Sequence, residues 1–319
     1  MDFDKAAYID FCEQRDDIPL FLQPWWLDAV TQPDDKEWQV LIARNKNGNI
    51  EAVMPFLYGS KWGMRYALTP QLTQYTGLWI APKAGESTTQ RLSREKNLQN
   101  DIIRQLETLK LGLFEVKFPL SYNYWSPFYW AGYQQQTRYT YRIDDLSDLG
   151  AVYARIDKVK RQHIEAAARN LEVRFDMKAT DFYRLQCSQL SERGSRNVLS
   201  EHLATHLIDT ARTRNQGFIV SIGEPSGVVH AAYFIPYDAH CAYNLIVAIN
   251  PLYRASGASS LALWMAIKKA SEVTKSFDFE GSMIEGVEHN NRQFGGVPVP
   301  YYTISKATKW LALMNLCRK

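Results

Sequence analysis

Apolar positions recur along this chain with two periods, and the two alternate. From Leu149 to Asn170, Leu149, Val152, Ile156, Val159 and Ile164 fall three to five residues apart, while Arg155, Lys158, Lys160, Arg161 and Arg169 occupy the other side. That spacing predicts one helix with a single buried stripe. A second long helix is predicted over Thr88 to Leu111, carrying Leu92, Ile102, Ile103, Leu106 and Leu109, with polar first turns. Shorter helices are predicted over Asp181 to Arg193, Ser200 to Arg214, Gly257 to Thr274 and Glu288 to Phe294. Trp38 to Arg44 and Ile50 to Leu57 flank Asn47-Gly48 and read as a hairpin, because a type I′ turn needs positive φ at both central residues. Further strands are predicted over Tyr75–Ile80, Leu113–Phe118, Thr137–Ile143, Leu171–Phe175, Phe218–Ile222, Val228–Ile235, Cys241–Ile249, Ser276–Glu280 and Val299–Ser305.

Strands interleaved with helices predict an α/β (α+β) fold. The 319 residues suit two domains. The two halves echo each other, each with a hairpin, a further strand, a long helix and a strand after it. No stretch rich in Pro, Gly or Ser separates them, so the boundary is expected near Asp144 to Leu149, giving domains 1–145 and 146–319. A hydrophobic share of 46% against 22% charged residues is enough for two cores. The net charge of +3 is too small to make DNA or an anionic membrane the main partner. Cys12, Cys187, Cys241 and Cys317 stand far apart, which argues against a disulfide framework or a zinc site. With an acidic N-terminus and no run of eighteen apolar residues, a cytoplasmic protein without a membrane span is expected.

Candidate chemistry gathers in the last third. Tyr253-Arg254-Ala255-Ser256-Gly257-Ala258-Ser259-Ser260-Leu261 joins a strand to a helix and is crowded with small residues. Unpaired N–H groups at such a helix start bind phosphate oxygens, and Arg254 adds a cation; the other reading is a serine-capped helix after a tight turn. Glu280 ends a strand in an apolar context and is either a general base or the partner of a cation such as Arg292. Tyr301 and Tyr302 alternate on the last strand as candidate proton donors or as core aromatics. His289 and Arg292 lie in the final loop region. Trp125, Phe128, Tyr129 and Trp130 either line a substrate groove or pack between domains. Lys158, Lys160 and Arg161 are a solvated face or a phosphate contact. His230 reads as a satisfied histidine on a strand. His202 and His206 have the i, i+4 spacing of zinc ligands but lack a third ligand, so no metal is expected.

The loop is similar to the acyl-CoA pyrophosphate loop of the GNAT acyltransferases, written Gln or Arg, two residues, Gly, one residue, Gly or Ala. Arg254 and Gly257 fit, and Ser259 stands at the last position. Phe277 to Ile284, Arg292 to Gly296, the closing strand Val299 to Ile304 and the basic helix with Lys158, Arg161, Ile164 and Ala167 resemble tandem-GNAT proteins related to the Fem-type peptidoglycan aminoacyl transferases. The runs Trp125 to Trp130 and Arg138 to Tyr141 resemble a bacterial branch of that group. The resemblance implies two GNAT-like domains, each a mixed sheet flanked by helices. It implies an acyl-CoA co-substrate, such as acetyl-CoA, held by Arg254, Ser256, Gly257, Ala258, Ser259 and Ser260, with its carbonyl at the backbone of Leu245 and Val247. Glu280 would then act as base and Tyr301 or Tyr302 as acid. An amine on a small metabolite or cell-envelope precursor would sit among Trp125, Tyr129, Lys158, Arg161, His289 and Arg292. Asn290-Asn291-Arg292 stands where the Fem-type pattern has a lysine. A transferase using aminoacyl-tRNA in cell-wall biogenesis, and a binding module without turnover, are the alternatives.

Overall fold

The computed structural model describes residues 3–192, 194–281 and 283–308; Arg193 and Cys317, named above, and Ser282, within the run Phe277 to Ile284, lie outside the described residues. Two compact units emerge, one of Met1–Arg138 with Pro300–Lys319, the other of Tyr139–Val299. The chain runs α1 (Lys5–Glu13), α2 (Pro24–Thr31), β1 (Glu37–Arg44), β2 (Ile50–Lys61), β3 (Met64–Leu68), β4 (Trp79–Ile80), α3 (Thr88–Thr108), β5 (Leu113–Lys117), α4 (Ser126–Trp130) and β6 (Gln134–Ile143). It continues with α5 (Leu149–Arg155), α6 (Lys158–Asn170), β7 (Glu172–Arg174), α7 (Ala179–Glu192), α8 (Glu201–Thr213), β8 (Gly217–Gly223), β9 (Val229–Pro236), β10 (Cys241–Tyr243) and β11 (Ile246–Ile249). After these come α9 (Ala258–Ala270), β12 (Ser276–Asp278), α10 (Glu285–Gln293) and β13 (Val297–Ala307).

In the first unit β1 and β2 form the expected hairpin, paired antiparallel from Glu37↔Tyr58 to Arg44↔Ile50. Its turn differs from expectation. Gly48 has φ +85 while Asn47 is not among the positive-φ residues, so the turn is not type I′. The Asn45 side chain organises it instead, accepting the N–H groups of Asn47 and Asn49 at 2.9 and 3.1 Å. β3 pairs with β2 antiparallel and with β5 parallel, and β13 pairs with β5 antiparallel from Thr303↔Lys117 to Ala307↔Leu113. Of the expected strand Tyr75–Ile80, only Trp79–Ile80 pairs. The polar start of α3 is held by a capping box between Ser87 and Gln90. Its later turns bury Leu98, Ile102, Ile103 and Leu106 in a core with Phe56, Phe114, Phe118, Phe128 and Ile304. The aromatic run after β5 divides: Phe128 is fully buried and Trp125 packs against the same cluster, while Tyr129 and Trp130 are exposed.

In the second unit β11, β9, β8 and β7 form an antiparallel sheet in that order, while β12 pairs with β6 antiparallel and with β10 parallel. α9 packs Leu261, Leu263, Ala266, Ile267 and Ala270 into the core. Two expectations are corrected here. The single helix over Leu149–Asn170 is two, because Ile156 is extended (φ −67, ψ 136) and the Asp157 side chain caps α6 by accepting the Val159 N–H. The single strand over Cys241–Ile249 is also two, divided at Asn244–Leu245.

Candidate functional site

The division between β10 and β11 creates the most distinctive geometry of the second unit. β10 runs parallel to β12 as far as Tyr243↔Asp278, and the Asn244 N–H donates to the Asp278 carbonyl at 2.8 Å. At Leu245 the chain changes partner, its N–H reaching the carbonyls of Phe234 at 3.3 Å and Tyr243 at 2.9 Å, and β11 then pairs with β9 from Ile246↔Phe234 onward. β12 goes the other way, pairing with β6, and the Phe279 N–H donates to the Tyr141 carbonyl at 2.9 Å. Two strands that begin side by side thus diverge. Asn250 directs its N–H to His230 of β9 at 2.8 Å, so by alternation the N–H groups of Ile249 and Val247 face the other edge. There, Gln189 of α7 accepts the Ile249 N–H through Oε1 at 2.9 Å.

On the β12 side, Asp278 is fully buried. It accepts the Thr140 hydroxyl at 2.5 Å and the Glu280 N–H at 2.8 Å. A buried carboxylate needs such donors to offset desolvation. Glu280 has φ +58, a left-handed conformation costing a non-glycine residue about 1–2 kcal/mol. The bond to Asp278 holds it there, and Gly281 follows because a Cβ at that position would stand 2.2 Å from the Tyr139 carbonyl oxygen. The neighbouring Cys241 thiol is pushed up by burial and further by the Asp278 charge.

The loop expected to bind phosphate is a 3-10 turn, Pro251–Ser256, followed by Gly257 at φ +75 and then α9. Several of its groups already have partners. Ser256 Oγ accepts the Ala258 N–H at 3.3 Å, and the Ser260 and Leu261 N–H groups bond the Gly257 carbonyl at 3.0 and 3.1 Å. Ser259 Oγ shares a 2.8 Å hydrogen bond with the Tyr233 hydroxyl, which burial pushes up to about 12. Arg254 is ion-paired with Glu192 of α7. A Cβ on Gly257 would lie 2.7 Å from the His163 carbonyl oxygen of α6. Buried His230 stacks on Tyr253 with ring centres 3.8 Å apart and reaches Glu224 at 3.3 Å.

The remaining candidates lie apart from this loop. Lys158 is exposed, and Arg161 donates to the Ala154 carbonyl at 3.0 Å. Lys160, its ammonium pushed down by burial, donates to Asn290 Oδ1 at 2.7 Å and so ties α6 to α10. On α10, Arg292 contacts Glu288 at 3.1 Å and His289 at 3.3 Å. Tyr301 and Tyr302 belong to the first unit. Tyr301 is buried, and Tyr302 packs on that unit's core while its carbonyl accepts the Phe118 N–H. Tyr129 is exposed, also in the first unit, and meets Trp125 edge to face. The His202 and His206 rings are 6.1 Å apart, and among the described residues no group of three His, Cys, Asp or Glu side chains is placed to hold a metal. Likewise, among the described residues no helix is long and apolar enough to cross a membrane.

Four residues of the second-unit site escaped the sequence reading. Asp278 left a signal, a lone carboxylate between Phe277 and Phe279 in a strand. Thr140, Gln189 and Glu192 left none, because their partners are far away in sequence.

No family model matches this sequence, and no curated protein matches it. Solved structures do. FemX superposes with a TM-score of 0.71 at 9% identity, covering 95% of this chain and 96% of FemX. A conserved protein of unknown function from Bacteroides thetaiotaomicron gives 0.60 at 12% identity, covering 96% and 97%. The C-terminal domain of a putative lysylphosphatidylglycerol synthetase from Agrobacterium fabrum gives 0.57 at 14%, covering 98% and 95%. Identities this low speak to the fold alone. In fold this chain is similar to FemX, and its architecture is mixed α/β with helices flanking the sheets.

Proposed function

We propose that the second unit is an acyltransferase that passes an acyl group to an amine at the break between β10 and β11. The observation that supports this most is that the chain leaves β12 on passing from β10 to β11, which turns N–H groups of β11 toward an edge not paired with β9. Val247 offers such a donor on the same edge as Ile249. A fixed backbone N–H stabilises the negative charge that develops on a carbonyl oxygen under attack. The amine nitrogen forms the new bond to that carbon, the donor's oxygen or sulfur leaves, and Glu280 takes the amine's proton. Asp278 and Gly281 act as positioning residues for Glu280 in this reading.

In the first reading the donor is a CoA-type thioester with its phosphates on Arg254 and the start of α9. Binding then requires the Arg254–Glu192 pair and the Gln189 bond to open. The Arg254–Glu192 pair favours a second reading, an aminoacyl ester carried on tRNA, which brings its acyl end to the break without placing a diphosphate on the loop. The acceptor in either reading is a small-molecule or cell-envelope amine.

Thermal melting against acetyl-CoA, longer acyl-CoAs, free CoA and charged tRNA separates the readings. A ligand selective for the native state adds about 2.7 kcal/mol at a hundredfold excess over Kd. A rise with CoA thioesters that Arg254→Ala removes supports the first, and a rise with charged tRNA alone supports the second. No rise with any donor would sink both. With a donor in hand, Glu280→Gln is expected to lower kcat by about 100-fold or more; unchanged turnover would remove Glu280 from the chemistry.

A further inference from the structure

A cavity of about 100 Å³ lies in the first unit, between the start of α3 and the segment after β5. Leu78, Gln99 and Tyr122 give it buried walls, and Arg91, Glu95 and Asn123 are among the more exposed residues that line it. At about 30 Å³ per water in the liquid, this space suits a molecule of a few non-hydrogen atoms and excludes a nucleotide.

Gln99 singles this cavity out. Its side chain is fully buried in the middle of α3. The Oε1 atom accepts the Tyr122 hydroxyl at 2.6 Å, which turns the amide and leaves Nε2, a buried donor, without a partner among the described residues. Leaving such a donor unmet is unfavourable, so it calls for an acceptor that the described residues do not supply. The charges differ in sign. Arg91 and Glu95 sit one helical turn apart with Nη1 and Oε1 at 3.3 Å, so cation and carboxylate border the same space. Only part of Glu95 reaches solvent, and its negative charge is felt by the Tyr122 phenol, which burial holds well above its ordinary value. A simple carboxylate ligand would meet that charge unfavourably, and a simple amine would leave Gln99 unmet.

We propose that this cavity binds a small zwitterion, a free α-amino acid of glycine or alanine size. Its carboxylate takes the Gln99 Nε2–H and the Arg91 guanidinium, and its ammonium faces Glu95. The site lies wholly within the first unit and is independent of the transfer reaction assigned to the second.

The test is thermal melting of the full chain in tens of millimolar glycine, L-alanine or L-serine, with sodium acetate and methylammonium chloride at matched ionic strength. The expected result is a saturable rise with glycine or alanine and none with either singly charged control. Arg91 is exposed, so Arg91→Ala leaves the core intact and is expected to weaken binding by about tenfold or more. Gln99→Leu keeps similar bulk and is expected to remove the rise; if it fails to fold, the Arg91 variant carries the test alone. A rise of equal size with acetate, or one that survives Arg91→Ala, overturns the zwitterion assignment. No rise with any solute overturns the site and leaves water as the partner of Gln99.

Discussion

Gly281 shows how closely one residue can be held by backbone that is remote in sequence. The oxygen of Tyr139 and the Cα of Thr140 would stand 2.2 and 2.8 Å from a Cβ there, and backbone cannot swing aside as a side chain can. Gly281→Ala is therefore expected to cost about 2–3 kcal/mol, read as a lower melting temperature. Loss of transfer activity beyond that fall would tie the turn to Glu280. Cys12 offers a second test at this scale. Burial pushes its thiol up to about 12, against smaller opposing effects of Tyr8 and Arg15. A folded-state value above the ordinary thiol value means that the stability tied to the protonated form is complete below about pH 9 and is lost as pH rises toward 12. Alkylation of Cys12 in the native protein should stay slow through pH 9 and accelerate only toward pH 12 or on unfolding. Rapid labelling at pH 8 would contradict the burial.

At the scale of elements, local signals placed most of the helices and strands, and the misses have a common cause. The stripe from Leu149 to Ile164 continues across Ile156 and Asp157, so its period gave no sign of a break; the break is made by a cap, which periodicity does not register. Cys241 to Ile249 is uniformly strand-like, yet it divides because each half has a different neighbour. α3 illustrates the converse. Its polar first turns bury nothing before Leu98, and the Ser87–Gln90 capping box anchors them. Ser87→Ala should cost about 1 kcal/mol, with amide exchange rising selectively over residues 88–95. Uniform exchange along α3 would mean that the cap does not anchor the first turns.

For the whole molecule, the return of the last described strand, β13, to the first unit matters most. β13 pairs along β5 from Thr303 to Ala307 and places Ile304, fully buried, in the core with Phe114 and Val116. A chain ending at Val299 would lose that pairing and that side chain. The first unit should then melt lower by about 10 °C or more, while the second unit, complete within Tyr139–Val299, keeps its own transition. Calorimetry distinguishes the two, and an unchanged first transition would show that β13 is dispensable.

The sequence by itself determined the alternation of strands and helices and the mixed α/β class. These rest on spacings within a few residues, which the backbone reads locally. It also marked the loop at Arg254 and Gly257 as exceptional, and Glu280 as a carboxylate ending an apolar strand. Only the tertiary structure decided where β10 parts from β11, which unit receives β13, and what the marked residues touch. Arg254 meets Glu192 and the Ile249 N–H meets Gln189, about sixty residues away in each case. Asp278 meets Thr140 from a strand 138 residues earlier. Such partners carry no shared period and no fixed spacing, because a hydrogen bond depends on distance and angle in space and is indifferent to the length of chain between its ends.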